Sequence, residues 1–544
     1  MFTLHIANRD YTEWVCENTK KETLDISPLT KKLFHGDQVD ANGILMRASP
    51  YRTKEAICGV LLTSQKTYGR KGSKLLYKCV PDDEHLPCFL VPYEEKTIGF
   101  DKNKSDHYIT FKLKEWTTKH PIGLLTNTFG KVDDMEAYVA YQMGCKDIGD
   151  SLKTFNAASL RVLREYTLDP LPVCYKNGKY IEDRRHLSII SIDPIGCMDI
   201  DDAIGIRTIP NGDTVLSIYI ANVPLLLEYL QMWTYITDRV STIYLPTKKY
   251  PMLPVSLSEN MCSLKEKEDR IAFVMDIKMA NPWSTPEISF TSVIICVEKN
   301  YAYGAPELVA REDYKSIFKT VQQLNNQHSY VSHMSSSHDV VEYCMLLMNH
   351  ECAKILKIKK RGGIFRSATK KEEIKETVAP GLKSILQNVA GEYSSEAKPH
   401  ELLGLDLYTH ITSPIRRIVD IVNMMNLIEE QWSANAIAFM EKWQEQTHLD
   451  HINSKTKAIR RLQNEMELFT VYEKNPCCVY RGVVFQRSEE AKGLYKYRAY
   501  IPETKMLTSV LSANVYKNYA EVNFSAHLFL DEAKMTKKIR LQIL

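Results

Sequence analysis

Four aspartates lie within a single ten-residue stretch, 193–202, that contains no basic residue. They are Asp193, Asp199, Asp201 and Asp202. Carboxylates this close together repel one another, so a positive partner is needed to hold them in place. A divalent cation with oxygen ligands, Mg²⁺ or Mn²⁺, is the simplest partner. A solvated acidic turn is the alternative, and the stretch alone does not decide between them.

The composition bounds the class of protein. The chain has 544 residues, of which 44% are hydrophobic and 25% charged, so it is too long for one core and we expect about three to five domains. Its net charge of +3 gives no overall basic surface, so nucleic-acid binding must depend on local patches. Its 13 cysteines form no Cys-x-x-Cys pair, which argues against a secreted disulfide framework or a zinc site.

Targeting and membrane signals are also missing from the sequence. The N-terminus lacks the basic and apolar regions of a signal peptide. No apolar run is long enough to span a bilayer. We therefore expect an intracellular, cytoplasmic protein that does not contact membranes.

The elements that position the acidic stretch follow from the periodicity, which divides the chain into five segments. Residues 1–48 and 49–116 contain short alternating runs between turns, and this predicts two small OB-type barrels. Residues 117–186 form a connecting region. Residues 187–472 mix strand and helix periods, and residues 473–544 return to short strands typical of a third small barrel. The predicted fold class is a multidomain α+β protein.

The central segment has both kinds of period. Residues 215–220 and 271–277 alternate as strands do, whereas 339–356, 415–432 and 455–472 place apolar residues at helical spacing. Strands mixed with long helices predict an α+β domain. The acidic stretch lies at its beginning.

Three further stretches of the central segment bear on the acidic one. They are 241–264 with Pro251-Met252-Leu253-Pro254, 362–367 with Gly362-Gly363, and 404–417 with Thr412-Ser413-Pro414-Ile415-Arg416-Arg417. In this order, the four stretches resemble the RNB catalytic domain of the ribonuclease II and ribonuclease R family, which includes the exosome exonuclease. On this resemblance, the two N-terminal barrels correspond to cold-shock domains and residues 473–544 to an S1 domain.

The resemblance implies metal-assisted hydrolysis of a phosphodiester. It assigns all four aspartates to the metal site, with Asp193, Asp199 and Asp202 as ligands and Asp201 as the critical acid at the metal and the attacking water. Two Mg²⁺ ions, or Mn²⁺ in their place, can activate water and stabilise the leaving oxygen. We therefore expect the four aspartates to hold the Mg²⁺ or Mn²⁺ ions.

The paired arginines are the predicted phosphate clamp. The guanidinium fork of Arg416 or Arg417 matches two phosphate oxygens, and the helix expected after Ser413-Pro414 can turn backbone N–H groups toward an anion. The alternative is that one of the two pairs with Asp420 on that helix.

The remaining candidates would bind RNA. By resemblance, Tyr244 and Tyr303 pack on the 3′-terminal nucleotide, with Tyr301 as an alternative to Tyr303. Asp406 lies near the terminal sugar, where a carboxylate can accept from a ribose 2′-hydroxyl, or it caps a turn. Arg366 is a further candidate for RNA binding, or a structural residue.

The expected function is that of a Mg²⁺-dependent 3′-to-5′ exoribonuclease, monomeric, that threads single-stranded RNA between the small barrels and releases nucleoside 5′-monophosphates. The alternatives are a catalytically inactive RNA-binding or regulatory protein with the same fold, and a DNA exonuclease. Three departures from the family pattern, at Ile418, at Asn423-Met424 and at 219–223, remove no predicted metal ligand. They make the chain a divergent member and bear on its substrate preference.

Overall fold

The computed structural model describes residues 1–94, 105–165, 181–280, 286–359, 362–369, 382–383, 391–475, 478–490, 493–531 and 536–544. The chain forms two compact units, Met1–Gly149 together with Leu468–Leu544, and Asp150–Glu467. None of the helices in the described ranges combines the length and the apolar character needed to cross a bilayer. Residues 166–180 of the predicted connecting region lie outside the described residues.

The N-terminal part of the first unit is built from short strands. A four-stranded sheet has the order β2-β1-β3-β4. A second sheet has the order β5-β9-β10-β8-β7-β6, and β5 also pairs with β7, which closes a barrel. The elements are β1 Phe2–Ile6, β2 Trp14–Glu17, α1 Pro28–Lys31, β3 Gln38–Val39, β4 Leu45–Arg47, β5 Ile57–Leu61, β6 Arg70–Lys71, β7 Lys74–Pro81, β8 Phe89–Tyr93, β9 His107–Glu115 and β10 Ile122–Lys131.

The barrel extends beyond the predicted boundary at residue 116. Strand β10 begins at Ile122, pairs antiparallel with β9 and also contacts β8. Closure requires this strand between its two neighbours, so the connecting region starts later than predicted. Leu4 of β1 and Phe34, which lies between α1 and β3, share one core with barrel residues such as Phe89 and Phe111. Helix α2 (Met135–Cys145) follows the barrel.

The second unit is organised around a seven-stranded sheet of order β11-β18-β17-β14-β13-β12-β19. Two small ribbons, β15-β16 and β20-β21, lie apart from it. The strands are β11 Glu182–Asp183, β12 Ile189–Asp193, β13 Asp202–Thr208, β14 Thr214–Ala221, β15 Ile243–Tyr244, β16 Lys249–Tyr250, β17 Asp269–Met279, β18 Glu287–Cys296, β19 Lys299–Ala302, β20 Phe365–Ser367 and β21 Glu392–Ser394.

Helices cover one face of this sheet. Leu216, Ile218 and Ile220 of β14 alternate into a core that also holds Val340 and Cys344 of the long helix α7, as the period-two pattern predicts. The helices of this part of the chain are α3 Lys153–Glu165, α4 Val223–Tyr229, α5 Pro306–Ala310, α6 Glu312–Gln327, α7 Ser337–Lys359, α8 Ile418–Leu427, α9 Ala434–Gln444 and α10 Gln446–Lys474.

The C-terminal part of the first unit is a five-stranded antiparallel sheet of order β24-β23-β22-β25-β26. Its strands are β22 Val479–Glu490, β23 Leu494–Ile501, β24 Met506–Ser512, β25 Ala520–Asp531 and β26 Thr536–Ile543. Its core contains Tyr480, Val484, Tyr497 and Phe524. The fold class is therefore α+β and multidomain, with an α+β domain between small OB-type sheets in the sequence.

Candidate active site

The acidic stretch connects two antiparallel neighbours of the main sheet. Asp193 is the last residue of β12 and Asp202 the first residue of β13, and the two strands pair through Ile190 and Ile204. Gly196 at the turn has φ +80°, a conformation that favours glycine. Pairing of the strands brings the acids at their ends together at one edge of the sheet.

The connecting loop is fixed by Ser263. The hydroxyl of Ser263 accepts from the Ile200 N–H at 3.0 Å and donates to the Met198 carbonyl at 2.8 Å. The Leu264 N–H also donates to the Ile200 carbonyl at 3.0 Å. Ser263 and Leu264, at the end of the 241–264 stretch, thus orient the acidic loop through hydrogen bonds, a role that the sequence alone did not predict.

The four aspartates face a shared cavity of about 630 Å³. Most of the predicted site residues line it, together with residues of α7 and of the segment before α8. Its lining includes Asp193, Asp199, Asp201, Asp202, Tyr244, Tyr303, His338, Glu342, Asn349, Tyr408, His410, Thr412, Ser413, Arg416 and Arg417. The cavity is the common site of the acids, both arginines and both tyrosines that the sequence singled out.

Asp201 is the most deeply held of the acids. One oxygen accepts from the Ile415 N–H at 3.0 Å and the other from Arg416 Nε at 3.0 Å. Burial raises the pKa of Asp201 to about 7, although Arg416 and the Ile415 N–H act in the opposite direction. The carboxylate is thus oriented by groups more than 200 residues away in the sequence.

Asp199 is held from the opposite side by the β15-β16 ribbon. Tyr244 and Lys249 are direct cross-strand partners in this ribbon. The Tyr244 hydroxyl donates to Asp199 Oδ2 at 2.8 Å, and Lys249 Nζ lies 3.1 Å from Asp199 Oδ1. Burial opposes the charge of Lys249, but hydrogen bonds to Glu259 and Asp199 raise its pKa above the ordinary value.

Asp193 and Asp202 have less compensation. Asp193 Oδ2 is buried and accepts no hydrogen bond from the described residues. Burial raises the pKa of Asp193 to about 6, with a further contribution from Asp199. Burial and the charges of Asp193 and Asp201 raise the pKa of Asp202 well above its usual range. An orphaned carboxylate oxygen among buried acids fits a divalent cation, whose oxygen ligands are carboxylates.

The carboxylate oxygens of the four aspartates do not form a compact metal-binding group in this structure. Among the described residues, the group of three possible metal ligands whose atoms lie within 4.8 Å of one another is His338, Asp339 and Glu342. Asp339 in this group accepts from the backbone and side chains of Ser335 and Ser336, a capping role at the start of α7. No three of the four aspartates, all of which the structure describes, meet this spacing, and Asp199 and Asp201 form ion pairs with Lys249 and Arg416.

The structure distinguishes the two arginines. Arg416 contacts Asp201 and Ser413, and its side chain is 44% exposed, so part of its guanidinium remains accessible from the cavity. Arg417 donates to Asp420 at 2.8 Å, the pairing considered as the alternative in the sequence. Helix α8 begins at Ile418. The anion that receives the Ile415 N–H is the carboxylate of Asp201.

Tyr303 lines the cavity and Tyr301 does not. Tyr301 is 7% exposed within the core, and its hydroxyl accepts from Arg311 at 3.2 Å. Burial, Asp202 and Asp193 raise the pKa of Tyr303 to about 12. Its ring lies 5.2 Å from that of His338. Of the two tyrosines, only Tyr303 has the position expected of a nucleotide contact.

Two predicted RNA contacts are not placed at the cavity. Asp406 is exposed and is not among the described residues that line it. Arg366 is 8% exposed in β20, with its guanidinium 4.5 Å from the centre of the Tyr393 ring, and it too is outside the lining. The side chain of Arg366 packs against Tyr393, its cross-strand partner in the β20-β21 ribbon.

Several cavity residues gave no sequence signal. His338 and Glu342 occupy the first turns of α7, which the sequence predicted only as an apolar-faced helix. Burial lowers the pKa of His410 well below its usual value, and the charges of Arg417 and Arg366 act in the same direction. The Asn349 amide donates to Tyr408 at 2.9 Å and accepts from the Ile411 N–H at 2.8 Å. The cysteines in the described ranges are free.

Comparison with known proteins finds a family match within the second unit. The family model described as RNB domain matches residues 181–328 and 296–430. The exosome complex exonuclease RRP44 homolog A of Arabidopsis thaliana is 26% identical over 330 residues, which are 57% of this chain and 33% of that protein. The chain spans about a fifth to a third of the length of this and other curated relatives.

Solved structures share the fold over nearly the whole chain. RNase R of Mycoplasma genitalium aligns with a TM-score of 0.69 at 16% identity, and the alignment covers 99% of this chain and 100% of that one. Yeast Ssd1, described as a pseudonuclease, aligns with a TM-score of 0.62 at 12% identity and covers 97% of this chain and 81% of that one. At these identities the likeness is one of fold.

Proposed function

We propose that the chain, whose residues 181–430 match the RNB domain model, is a divergent member of the RNB family and acts as a Mg²⁺-dependent exoribonuclease. It would remove nucleotides from the 3′ end of single-stranded RNA and release nucleoside 5′-monophosphates. One observation carries the proposal: all four acids face one cavity, where Asp193 Oδ2 is buried and has no hydrogen-bond partner among the residues that the structure describes. A structural acid cluster would be expected to have its oxygens satisfied.

The acids would divide the work as follows. Asp193, Asp199 and Asp202 would hold Mg²⁺ or Mn²⁺, and Asp201 would lie at the attacking water. The chemistry supplied by a bound pair of ions would be ionisation of that water and polarisation of the phosphodiester. The Ile415 N–H and Arg416 hold Asp201 in one orientation, which keeps its carboxylate directed at the reacting group.

Arg416 would also bind the scissile phosphate. Its Nε is used by Asp201 and one terminal nitrogen by Ser413, so the exposed part of the guanidinium can donate to a phosphate oxygen. Tyr303 would stack on the terminal base, an interaction worth about 1–3 kcal/mol and independent of base identity. The Tyr244 ring would contact the same nucleotide, while its hydroxyl fixes Asp199.

The choice of RNA as substrate is supported by relatives. Two of the curated relatives, from Arabidopsis thaliana and Homo sapiens, are named exosome complex exonucleases. RNase R of Mycoplasma genitalium has also been solved in complex with ribose-methylated single-stranded RNA and with double-stranded RNA. We propose single-stranded RNA as the substrate of this chain, and we propose that the protein is a cytoplasmic monomer.

A second function is favoured by one curated relative and one solved structure. The curated relative, from Arabidopsis thaliana, is named an inactive exonuclease. Yeast Ssd1 has this fold and is described as a pseudonuclease, so an RNA-binding protein without hydrolytic activity is the alternative. The acid set favours the enzyme, because all four aspartates are present and face the cavity. A DNA exonuclease is a third candidate, and the substrate sugar distinguishes it.

The test is a substrate panel with one labelled sequence. RNA and DNA single strands, a duplex with a 3′ overhang and a blunt duplex are incubated with the protein in Mg²⁺ or in EDTA, and products are separated by gel and thin-layer chromatography. We expect RNA to be shortened from its 3′ end to nucleoside 5′-monophosphates in Mg²⁺ only. Tight binding of RNA without products would support the inactive alternative, and equal loss of DNA would support the DNA exonuclease.

A further inference from the structure

Asp199 is held by a two-pronged contact from one ribbon. Tyr244 and Lys249 are direct neighbours across β15 and β16. The hydroxyl of Tyr244 donates to Asp199 Oδ2, and the ammonium of Lys249 donates to Asp199 Oδ1. Both oxygens of this predicted metal ligand are thus engaged by the protein, one of them by a full positive charge.

Lys249 has a second partner at the same time. Its Nζ lies 2.5 Å from Glu259 Oε1 and 3.1 Å from Asp199 Oδ1. Glu259 belongs to the single turn of π-helix at Leu257–Met261 and is not among the described residues that line the cavity. The ammonium therefore bridges one acid of the cavity and one acid outside it, and could remain neutralised by Glu259 if it left Asp199.

A lysine in this place opposes a metal at the same oxygen. A divalent ion on Asp199 Oδ1 would be next to the ammonium, and two cations a few ångströms apart repel strongly in a site with little water. The side chains of Asp199 and Lys249 are 8% and 25% exposed, so solvent screens this repulsion little. Lysine is also mobile on its four-carbon stem, so it can shift toward its other partner.

We propose that Lys249 is a positioning residue that competes with the metal for Asp199, and that Glu259 receives its ammonium when the metal binds. Lys249 neutralises Asp199 in the metal-free protein and keeps Oδ1 directed away from the other aspartates. Glu259 sets how readily the exchange occurs. The inference rests on the proposed metal site and deepens it, because it identifies what controls metal affinity there.

The two residues should act in opposite directions. Lys249→Met removes the competing charge and should tighten Mn²⁺ binding by about tenfold or more, within the range of effects for groups next to metal ligands. Glu259→Gln leaves the ammonium with Asp199 as its one carboxylate and should weaken Mn²⁺ binding several-fold. Because Glu259 acts through Lys249, the double variant should bind Mn²⁺ as tightly as Lys249→Met alone.

The experiment is a Mn²⁺ titration followed by electron paramagnetic resonance, which counts free ion and needs no catalysis. Lys248→Met is the matched control, because Lys248 Nζ lies over the Tyr250 ring at 5.4 Å, and its affinity should equal that of the wild type. Lys249→Gln repeats the charge removal with a polar side chain and guards against misfolding of the methionine variant.

The outcomes separate this inference from the proposed function. Tightening by both Lys249 variants, weakening by Glu259→Gln and the predicted double variant support the competition. Unchanged or weaker binding by both Lys249 variants, with normal Mn²⁺ binding by the wild type, overturns the role of Lys249 and leaves the metal site intact. If the wild type and all variants bind no Mn²⁺, the proposed metal site and the competition both fail.

Discussion

Replacing Asp193 with asparagine should stabilise the metal-free protein and remove its response to metal. Asp193 Oδ2 is buried without a hydrogen-bond donor among the described residues, and burial raises the pKa of this carboxyl to about 6. An aspartate in an unfolded chain has a pKa of about 3.9. The folded protein therefore binds the proton more tightly than the unfolded chain does.

The sign and size follow from linkage. Because the folded pKa is the higher one, the contribution of Asp193 to the free energy of unfolding is fully present below about pH 4, is lost between about pH 4 and 6, and is then constant. A difference of about two pKa units corresponds to about 3 kcal/mol in the free energy of unfolding. The asparagine of Asp193→Asn does not ionise, so the free energy of unfolding of the variant lacks this pH-dependent decrease. Any constant penalty for the buried amide shifts its curve equally at every pH.

The assay is urea unfolding of wild type and variant in EDTA at pH 4.5, 6 and 8, repeated with saturating Mg²⁺ at pH 8. We expect the variant to gain about 2 kcal/mol relative to wild type between pH 4.5 and pH 8 in EDTA, because about 1 kcal/mol of the total is already lost at pH 4.5. Mg²⁺ at about 100 times its Kd should add about 2.7 kcal/mol to the wild type and far less to the variant.

Asp406→Asn is the matched control, because Asp406 is an exposed acid of the same unit, and surface changes of this kind alter stability by less than about 0.5 kcal/mol. The reasoning is refuted if wild type and Asp193→Asn lose stability with rising pH in parallel. It is equally refuted if Mg²⁺ stabilises the variant as much as the wild type.

Three further predictions test other parts of the site. Arg416→Met should lower kcat/KM on single-stranded RNA by about 10²–10³-fold, as measured by degradation kinetics. Arg417→Met should mainly lower the free energy of unfolding, by about 3 kcal/mol in urea unfolding, because it removes the charged partner of the fully buried Asp420. Because the pKa of His410 is lowered in the folded protein, its contribution to the free energy of unfolding should fall by about 1.4 kcal/mol per pH unit below about pH 6.5. His410→Gln should reduce this slope when its unfolding is compared with that of the wild type from pH 7 to 5. Tyr303→Leu should weaken RNA binding by about 1–3 kcal/mol in a filter-binding assay, and an unchanged Kd would contradict its stacking role.

Local periodicity predicted much of the fold. The alternating run at 215–220 lies within β14 (Thr214–Ala221), and the apolar spacing at 339–356 lies within α7 (Ser337–Lys359). The helix predicted at 415–432 is shorter in the structure, where α8 covers Ile418–Leu427 and the next helix begins at Ala434. Residue Ile428 is extended with ψ 126° after α8, and Ser433 caps the next helix by accepting from the Ala436 N–H at 3.3 Å. The apolar spacing continued across this break, so periodicity alone did not reveal it.

The site was predictable where a motif carried it and not where packing did. The acids, Tyr244 and the arginine pair are short motifs, and the structure places them around one cavity. The partners that orient them, such as Lys249 for Asp199 and the Ile415 N–H for Asp201, are 50 and 214 residues away in the sequence. Tertiary packing selects such partners. The same packing leaves Asp406 exposed, although its motif suggested a contact with the substrate.

Asp201→Asn tests the central claim most directly. The asparagine oxygen can still accept from the Ile415 N–H, so the fold should persist while the charge at the reacting water is lost. With a 5′-labelled single-stranded RNA in Mg²⁺, we expect the wild type to degrade the strand and the variant to leave it intact while binding it with a similar Kd. Degradation by Asp201→Asn at the wild-type rate would contradict metal-assisted hydrolysis at these four aspartates.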